Sequence, residues 1–283
     1  MKHILLPTDF SEPANNAFLY ALRLANQLDT KLYVLYSYLT PVLSSTHAGQ
    51  PELLAEVYQQ VELSKFDFFK KGVPKLRKLA EDHNLDDNRI IFLFDQGTVV
   101  SSVKRVINEE DIKLVVMGTH GASGFSKEFV GTNTVSVIRN IQQPVLAIPQ
   151  KAKYSSLEKI AFTTLFREKD LAALQEVIDI ASHFNAKVYC VHVMNDSTNP
   201  SNLLLQGENW GKKFQGKNLD FIFLEKKGST EETVNSFLAE NNIDLLAIVK
   251  RNRSFFDRLV TSSLSNKLAF HAETPILVFH EEK

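Results

Sequence analysis

The stretch from Gly118 to Ile138, GTHGASGFSKEFVGTNTVSVI, holds Gly118, Gly121, Gly124 and Gly131 in a chain of 283 residues with only 11 glycines. Gly118 and Gly121 follow the apolar run IKLVVMG. Glycine admits positive φ and lets a ligand come close to the backbone. Gly131 and Thr132 then open a helix-like apolar pattern. A helix N-terminus presents free N–H groups and the positive end of the helix dipole, so the chemistry offered is anion binding, with phosphate the usual anion. The Thr132 hydroxyl can add a hydrogen bond. Lys127, inside the loop, could screen phosphate charge, although a lone loop lysine is ordinarily just solvated. A second feature lies at the start of the chain. Asp9 stands two residues past the apolar run HILLP, where a carboxylate can meet a ribose hydroxyl or a metal-bound water. The structural alternative is plain: a Gly/Ser loop ending at a helix N-cap, with Asp9 and Ser11 serving as caps. Glycine spacing alone leaves both readings open.

The elements that must position these residues come in duplicate. KHILLPTDFSE aligns with EKIAFTTLFRE at an offset of 156, and GTVVSSVKRVINEEDIKLVVM aligns with GSTEETVNSFLAENNIDLLAI at an offset of 131. The chain is therefore a tandem repeat, and the fall in offset means that copy two lacks 25 residues between its second and third strands. In copy one HILLP reads as a strand. SEPANNAFLYALRLANQL reads as a helix with Ser11 as N-cap and Pro13 in its first turn. KLYVLYSYL, RIIFLF, IKLVVMG and PVLAIP are further strands, with helices between them; in the long one, 51–83, Gly72 and Pro74 mark a possible break. Apolar strands joined by helices predict a parallel α/β sheet covered on both faces, doubly wound and Rossmann-like. Copy two reads the same way, its connector 195–218 holding at most a short helix. The predicted organisation is a domain at 1–149, a polar linker at 150–156 and a domain at 157–283.

Composition narrows the function classes. Lys plus Arg is 32 against 33 Asp plus Glu, a formal net charge of -1, so no broad basic field exists to hold nucleic acid. The single cysteine, Cys190, lies in AKVYCVHVM and reads as a buried small hydrophobe. The opening MKHILLPTDF is too short an apolar run for a signal peptide, and no stretch reaches transmembrane length. The expectation is a cytoplasmic protein with no membrane partner. No Ser-His-Asp order and no Cys/His metal spacing can be argued, and Asp9 alone does not supply dedicated catalysis.

The spacing G-x2-G-x9-G-(S/T), met by Gly118, Gly121, Gly131 and Thr132 between a strand and a helix, resembles the universal stress protein family in its tandem two-domain form. The opening ILLPTDFSEPA carries the same resemblance. It implies two adenine-nucleotide alpha hydrolase-like domains, each a five-stranded parallel sheet of order 3-2-1-4-5, and ATP as the ligand of motif-bearing members. It further implies a nucleotide site from Pro7, Thr8, Asp9, Ser37, Met117, Gly118, His120, Gly121, Gly131, Thr132 and Asn133. Asp9 would contact the ribose and the backbone near Ser37 the adenine. Gly118, His120 and Gly121 would line the ribose and phosphate path, and Gly131, Thr132 and Asn133 would hold the phosphates. Mg²⁺ would enter with the phosphates, with Asp9 its candidate protein contact. The implied role is a stress-response regulator or sensor rather than an enzyme, with weak ATP hydrolysis at most.

Copy two departs from the motif. Gly118 becomes Val249, Gly121 becomes Asn252, Gly131 becomes Ser262, Thr132 becomes Ser263 and Asp9 becomes Leu165, so ATP binding is expected in copy one only. KRNRSFFDR in copy two offers basic residues and Phe255 and Phe256, which motivates the competing reading of a nucleotide-free interaction scaffold. A slow ATPase is the third. The edges PVLAIP and PILVFH are expected to pair within the chain, since family fifth strands pair between subunits; a homodimer of whole chains is equally open.

Overall fold

The computed structural model describes residues 3–40, 51–119, 131–154, 156–194, 200–250 and 273–281, without the side chains of 51–54 and 200. Copy one contains β1 (His3–Pro7), α1 (Glu12–Gln27), β2 (Leu32–Tyr38), α2 (Pro51–Asp82), β3 (Ile90–Gln96), α3 (Val99–Glu109), β4 (Ile112–Gly118), α4 (Thr132–Asn140) and β5 (Val145–Ile148). Copy two contains β6 (Lys159–Thr163), α5 (Asp170–Phe184), β7 (Lys187–Met194), α6 (Pro200–Lys213), β8 (Leu219–Glu225), α7 (Thr230–Glu240), β9 (Leu245–Lys250) and β10 (Ile276–His280). The strands form one ten-stranded sheet of order β3-β2-β1-β4-β5-β10-β9-β6-β7-β8. Pairing is parallel within each copy and antiparallel only at the seam, where Leu146 of β5 faces Leu277 of β10.

The sheet is buried on both faces because its strands are apolar at successive positions. On β1, Ile4 and Leu6 enter one core cluster while Leu5 enters the other. The first cluster also takes Leu146, Leu277, Phe162 and Leu174, so the core runs without interruption across the seam.

Two local expectations are corrected. α2 continues unbroken through Gly72 and Pro74 to Asp82. A proline costs a helix one backbone hydrogen bond and some crowding, which a helix of 32 residues absorbs. Gly72 is a packing device instead: a Cβ there would lie 2.6 Å from the Phe10 ring. In copy two the connector forms α6, a helix of 14 residues rather than a short one. Leu203 and Trp210 fall on one face of α6, Phe214 follows its end, and all three are buried; Trp210 meets Phe166 edge-on at 5.0 Å.

Candidate functional site

The site forms where β1, β2 and β4 reach their carboxyl ends. After β1 the chain makes a tight turn. The Thr8 N–H donates to the Leu35 carbonyl at 2.8 Å, and the Thr8 hydroxyl accepts the Phe10 N–H at 3.0 Å. Phe10 has φ 58°, the left-handed region that side chains rarely adopt. Its ring is held by Tyr36 at 5.6 Å and by the close approach that Gly72 permits. Ser11 caps α1, its Oγ accepting the Ala14 N–H at 3.4 Å. Asp9 Oδ1 accepts the Ser11 N–H at 3.0 Å, and the Asp9 residue as a whole is exposed. Ser11 therefore caps the helix, and Asp9, at the sheet edge, braces the cap residue through its N–H.

The glycine segment returns to the point from which it departs. Thr119 is fully buried, its N–H donating to the Ile148 carbonyl at 2.9 Å while its own carbonyl accepts the Gly131 N–H. The Thr134 hydroxyl donates to the Gly118 carbonyl at 2.8 Å, tying the first turn of α4 to the end of β4. Ser11, Thr98 and Ser229 cap α1, α3 and α7 through their side chains, whereas α4 begins at Gly131 with no side-chain cap. α5 likewise starts without a side-chain cap, at Lys169. The first N–H groups of a helix have no intrahelical acceptor, and an anion is one group that can satisfy them.

These ends enclose a cleft of about 270 Å³, lined by Pro7, Thr8, Asp9, Ser37, Met117, Gly118, Gly131, Thr132 and Asn133. His120 and Gly121 lie outside the described residues, as does Lys127. The cleft also takes Ala14, Tyr36, Val99 and Thr134, which the sequence reading did not name. Tyr36 adjoins Ser37 in YSYLTP and could have been found there; Val99 follows β3, a strand end the motif does not touch. Burial raises the Tyr36 phenol pKa, and the Asp9 charge adds to the effect. Among the described residues no group of three His, Cys, Asp or Glu side chains could hold a metal ion.

Copy two repeats the turn and changes its contents. Phe166 has φ 54°, and its N–H donates to the Thr164 hydroxyl at 2.8 Å. Leu165, 49% exposed, stands where Asp9 stands in copy one. A carboxylate reappears one helical turn away, at the position aligned with Ala14. Asp170 is fully buried, and its Oδ2 accepts from the Thr164 hydroxyl at 2.8 Å and the Leu165 N–H at 3.2 Å. His192 replaces Tyr36, its Nδ1 2.9 Å from the Thr164 carbonyl, and burial lowers its pKa. Val249, buried, replaces Gly118. The aligned Asn252, Ser262 and Ser263, and Phe255 and Phe256 of the basic loop, lie outside the described residues. Cys190 is fully buried, its thiol pushed far above the usual range by burial, with the Asp170 charge adding to it. Among the described residues no helix is long and apolar enough to cross a membrane.

Known proteins carry the same architecture. A universal stress protein from Archaeoglobus fulgidus superposes with a TM-score of 0.73 over 99% of this chain and 98% of its own, at 18% identity, so the fold is shared end to end. In sequence, universal stress protein Slr1230 of Synechocystis is 23% identical over 300 residues, covering 99% of this chain and all of the relative. Universal stress protein MJ0531 of Methanocaldococcus jannaschii is 24% identical over 153 residues, 54% of this chain and 84% of the relative. The model of the universal stress protein family matches twice, at residues 1–149 and 157–280, once on each copy of the repeat. The chain belongs to the universal stress protein family, in tandem form.

Proposed function

We propose that this protein is a stress-response regulator that binds ATP in its N-terminal repeat, residues 1–149, and that the C-terminal repeat, residues 157–283, binds none. The observation that carries this reading is the difference between the two sheet edges. In copy one an exposed carboxylate, a β2 backbone end and a helix start without a side-chain cap share one cleft. In copy two Leu165 and Val249 occupy the matching positions.

In this reading Asp9 accepts hydrogen bonds from the ribose hydroxyls, and the backbone near Ser37, with Tyr36 and Val99, borders the adenine. The N–H groups at the start of α4, the Thr132 hydroxyl and the backbone of Gly118 face the phosphates, where fixed donors and the helix dipole favour negative charge. His120 and Gly121 complete the phosphate path in the same reading. Mg²⁺, bound through the phosphates and Asp9, neutralises phosphate charge. The residues bind and orient; no bond-breaking step is assigned to them.

Titration of nucleotide-free protein with ATP tests the proposal. Saturable binding is expected, and Gly131→Glu should weaken it by ~100-fold or more, because it sets a carboxylate against the phosphates. Absence of binding to the wild type at millimolar ATP sinks the reading. Steady phosphate release abolished by Asp9→Ala would add a slow hydrolase activity to it.

A further inference from the structure

The second repeat reaches into the first at the far end of α4. Lys250, the last residue of β9, donates from Nζ to the Ile138 carbonyl at 3.2 Å. His280, the last residue of β10, places Nε2 2.6 Å from the same oxygen, a contact that requires the proton on Nε2. Ile138 lies in the last turn of α4, where carbonyls have no intrahelical donor. Two donors from copy two therefore satisfy one carbonyl of copy one. His280 Nδ1 is buried with no hydrogen-bond partner, so the ring makes its contact to α4 through Nε2.

The matching positions of copy one carry other residues. In the repeat alignment Lys250 corresponds to Thr119 and His280 to Pro149. Proline has no donor at all, and Thr119 is buried at the base of the glycine segment. Copy one thus lacks the cation and the imidazole with which copy two holds its neighbour. The helix so held is short, nine residues, or roughly 13 Å at 1.5 Å per residue. Its other end is the phosphate-facing end of the cleft, tied to β4 through Thr134 and Gly118. A cation at a helix C-terminus also favours the dipole whose positive end faces the cleft.

We propose that Lys250 and His280 are positioning residues for the nucleotide cleft: by clamping the last turn of α4, the second repeat sets where the N–H groups of Thr132 and Asn133 stand. The inference rests on the ATP reading above and explains why a repeat without the motif stays fused to one that has it.

The test uses the full chain with three readouts: ATP affinity by titration, amide hydrogen exchange across Thr134–Ile138 without ligand, and the thermal midpoint. Lys250→Met with His280→Leu should weaken ATP about tenfold and speed exchange in α4. Lys250→Arg with His280→Gln keeps a donor at both positions and should stay within about twofold of wild type. Lys250→Met alone, which leaves the His280 bond in place, should lose about threefold and serves if the double variant does not fold. The proposal is overturned if the apolar variants fold, bind ATP like wild type and leave α4 exchange unchanged, or if the donor-keeping pair loses as much affinity as the apolar pair. Failure of wild type to bind ATP would instead sink the nucleotide reading, and α4 exchange would still decide whether the clamp exists.

Discussion

The turns after β1 and β6 have the same backbone and different chemistry. In each, a threonine hydroxyl accepts the N–H of a phenylalanine held at positive φ, 58° for Phe10 and 54° for Phe166. The residue between them is Asp9 in one copy and Leu165 in the other. The fold therefore demands the Thr-x-Phe geometry and is indifferent to what lies in the middle. A carboxylate is present near both turns. In copy one it is exposed at the cleft. In copy two it is Asp170, fully buried and bonded to Thr164 and Leu165. One carboxylate is exposed and bonded to the N–H of the cap residue Ser11; the other is buried and bonded within the turn.

That distinction can be broken at three places. The largest effect is expected in copy two. Asp170→Ala strands the Thr164 hydroxyl and the Leu165 N–H and should lower unfolding stability by about 3 kcal/mol, measured by urea denaturation. A loss under 1 kcal/mol would show that Asp170 is not the structural carboxylate. Next, Asp9→Leu imports the copy-two residue into the copy-one turn. It should leave the thermal midpoint unchanged, because Leu165 already fits that turn, and weaken ATP by ~10-fold, about 1.4 kcal/mol. Unchanged affinity would remove Asp9 from the site.

The smallest effect is a pH dependence. Burial lowers the His192 pKa, so the unfolded chain, with a histidine pKa near the ordinary value, binds the proton more readily than the fold does. Stability should then be full above the ordinary histidine pKa and fall as pH drops below it, with a limiting slope of about 1.4 kcal/mol per pH unit for one proton. The loss levels off once the pH is below the folded-state value. His280 is shifted the same way, first by burial, and adds to the trend. Replacing His192 by the residue of the other copy, His192→Tyr, should flatten the acid limb; an identical slope in the variant would refute the assignment.

Much of this was legible without coordinates. The duplication, the alternation of strands and helices and the Ser11 cap follow from local patterns, and those patterns survive folding. Of the site residues that the resemblance implied, all that lie among the described residues border one cleft, because strand ends of a parallel sheet converge at one edge. Where the reading failed, the cause was long-range packing. Gly72 looked like a helix break because its neighbour in sequence is informative and its neighbour in space, the Phe10 ring, is not visible. Asp170 was not singled out in the sequence; its role depends on Thr164, which packs against it only in the fold. Val99 and Tyr36 enter the cleft from strand ends that the glycine motif does not mark.

The sequence by itself determined that there are two copies, what each is built from, and which copy keeps the glycines and Asp9. Repetition and spacing are properties of the chain alone. That the two fifth strands pair was already an expectation; the tertiary structure decided the direction and register of that pairing and which side chains it brings together. The antiparallel pairing of β5 with β10 makes one sheet of ten strands and brings Lys250 and His280 to the end of α4. The two lie 112 and 142 residues from Ile138 in the chain. No periodicity links positions so far apart; they meet because the seam joins the two copies.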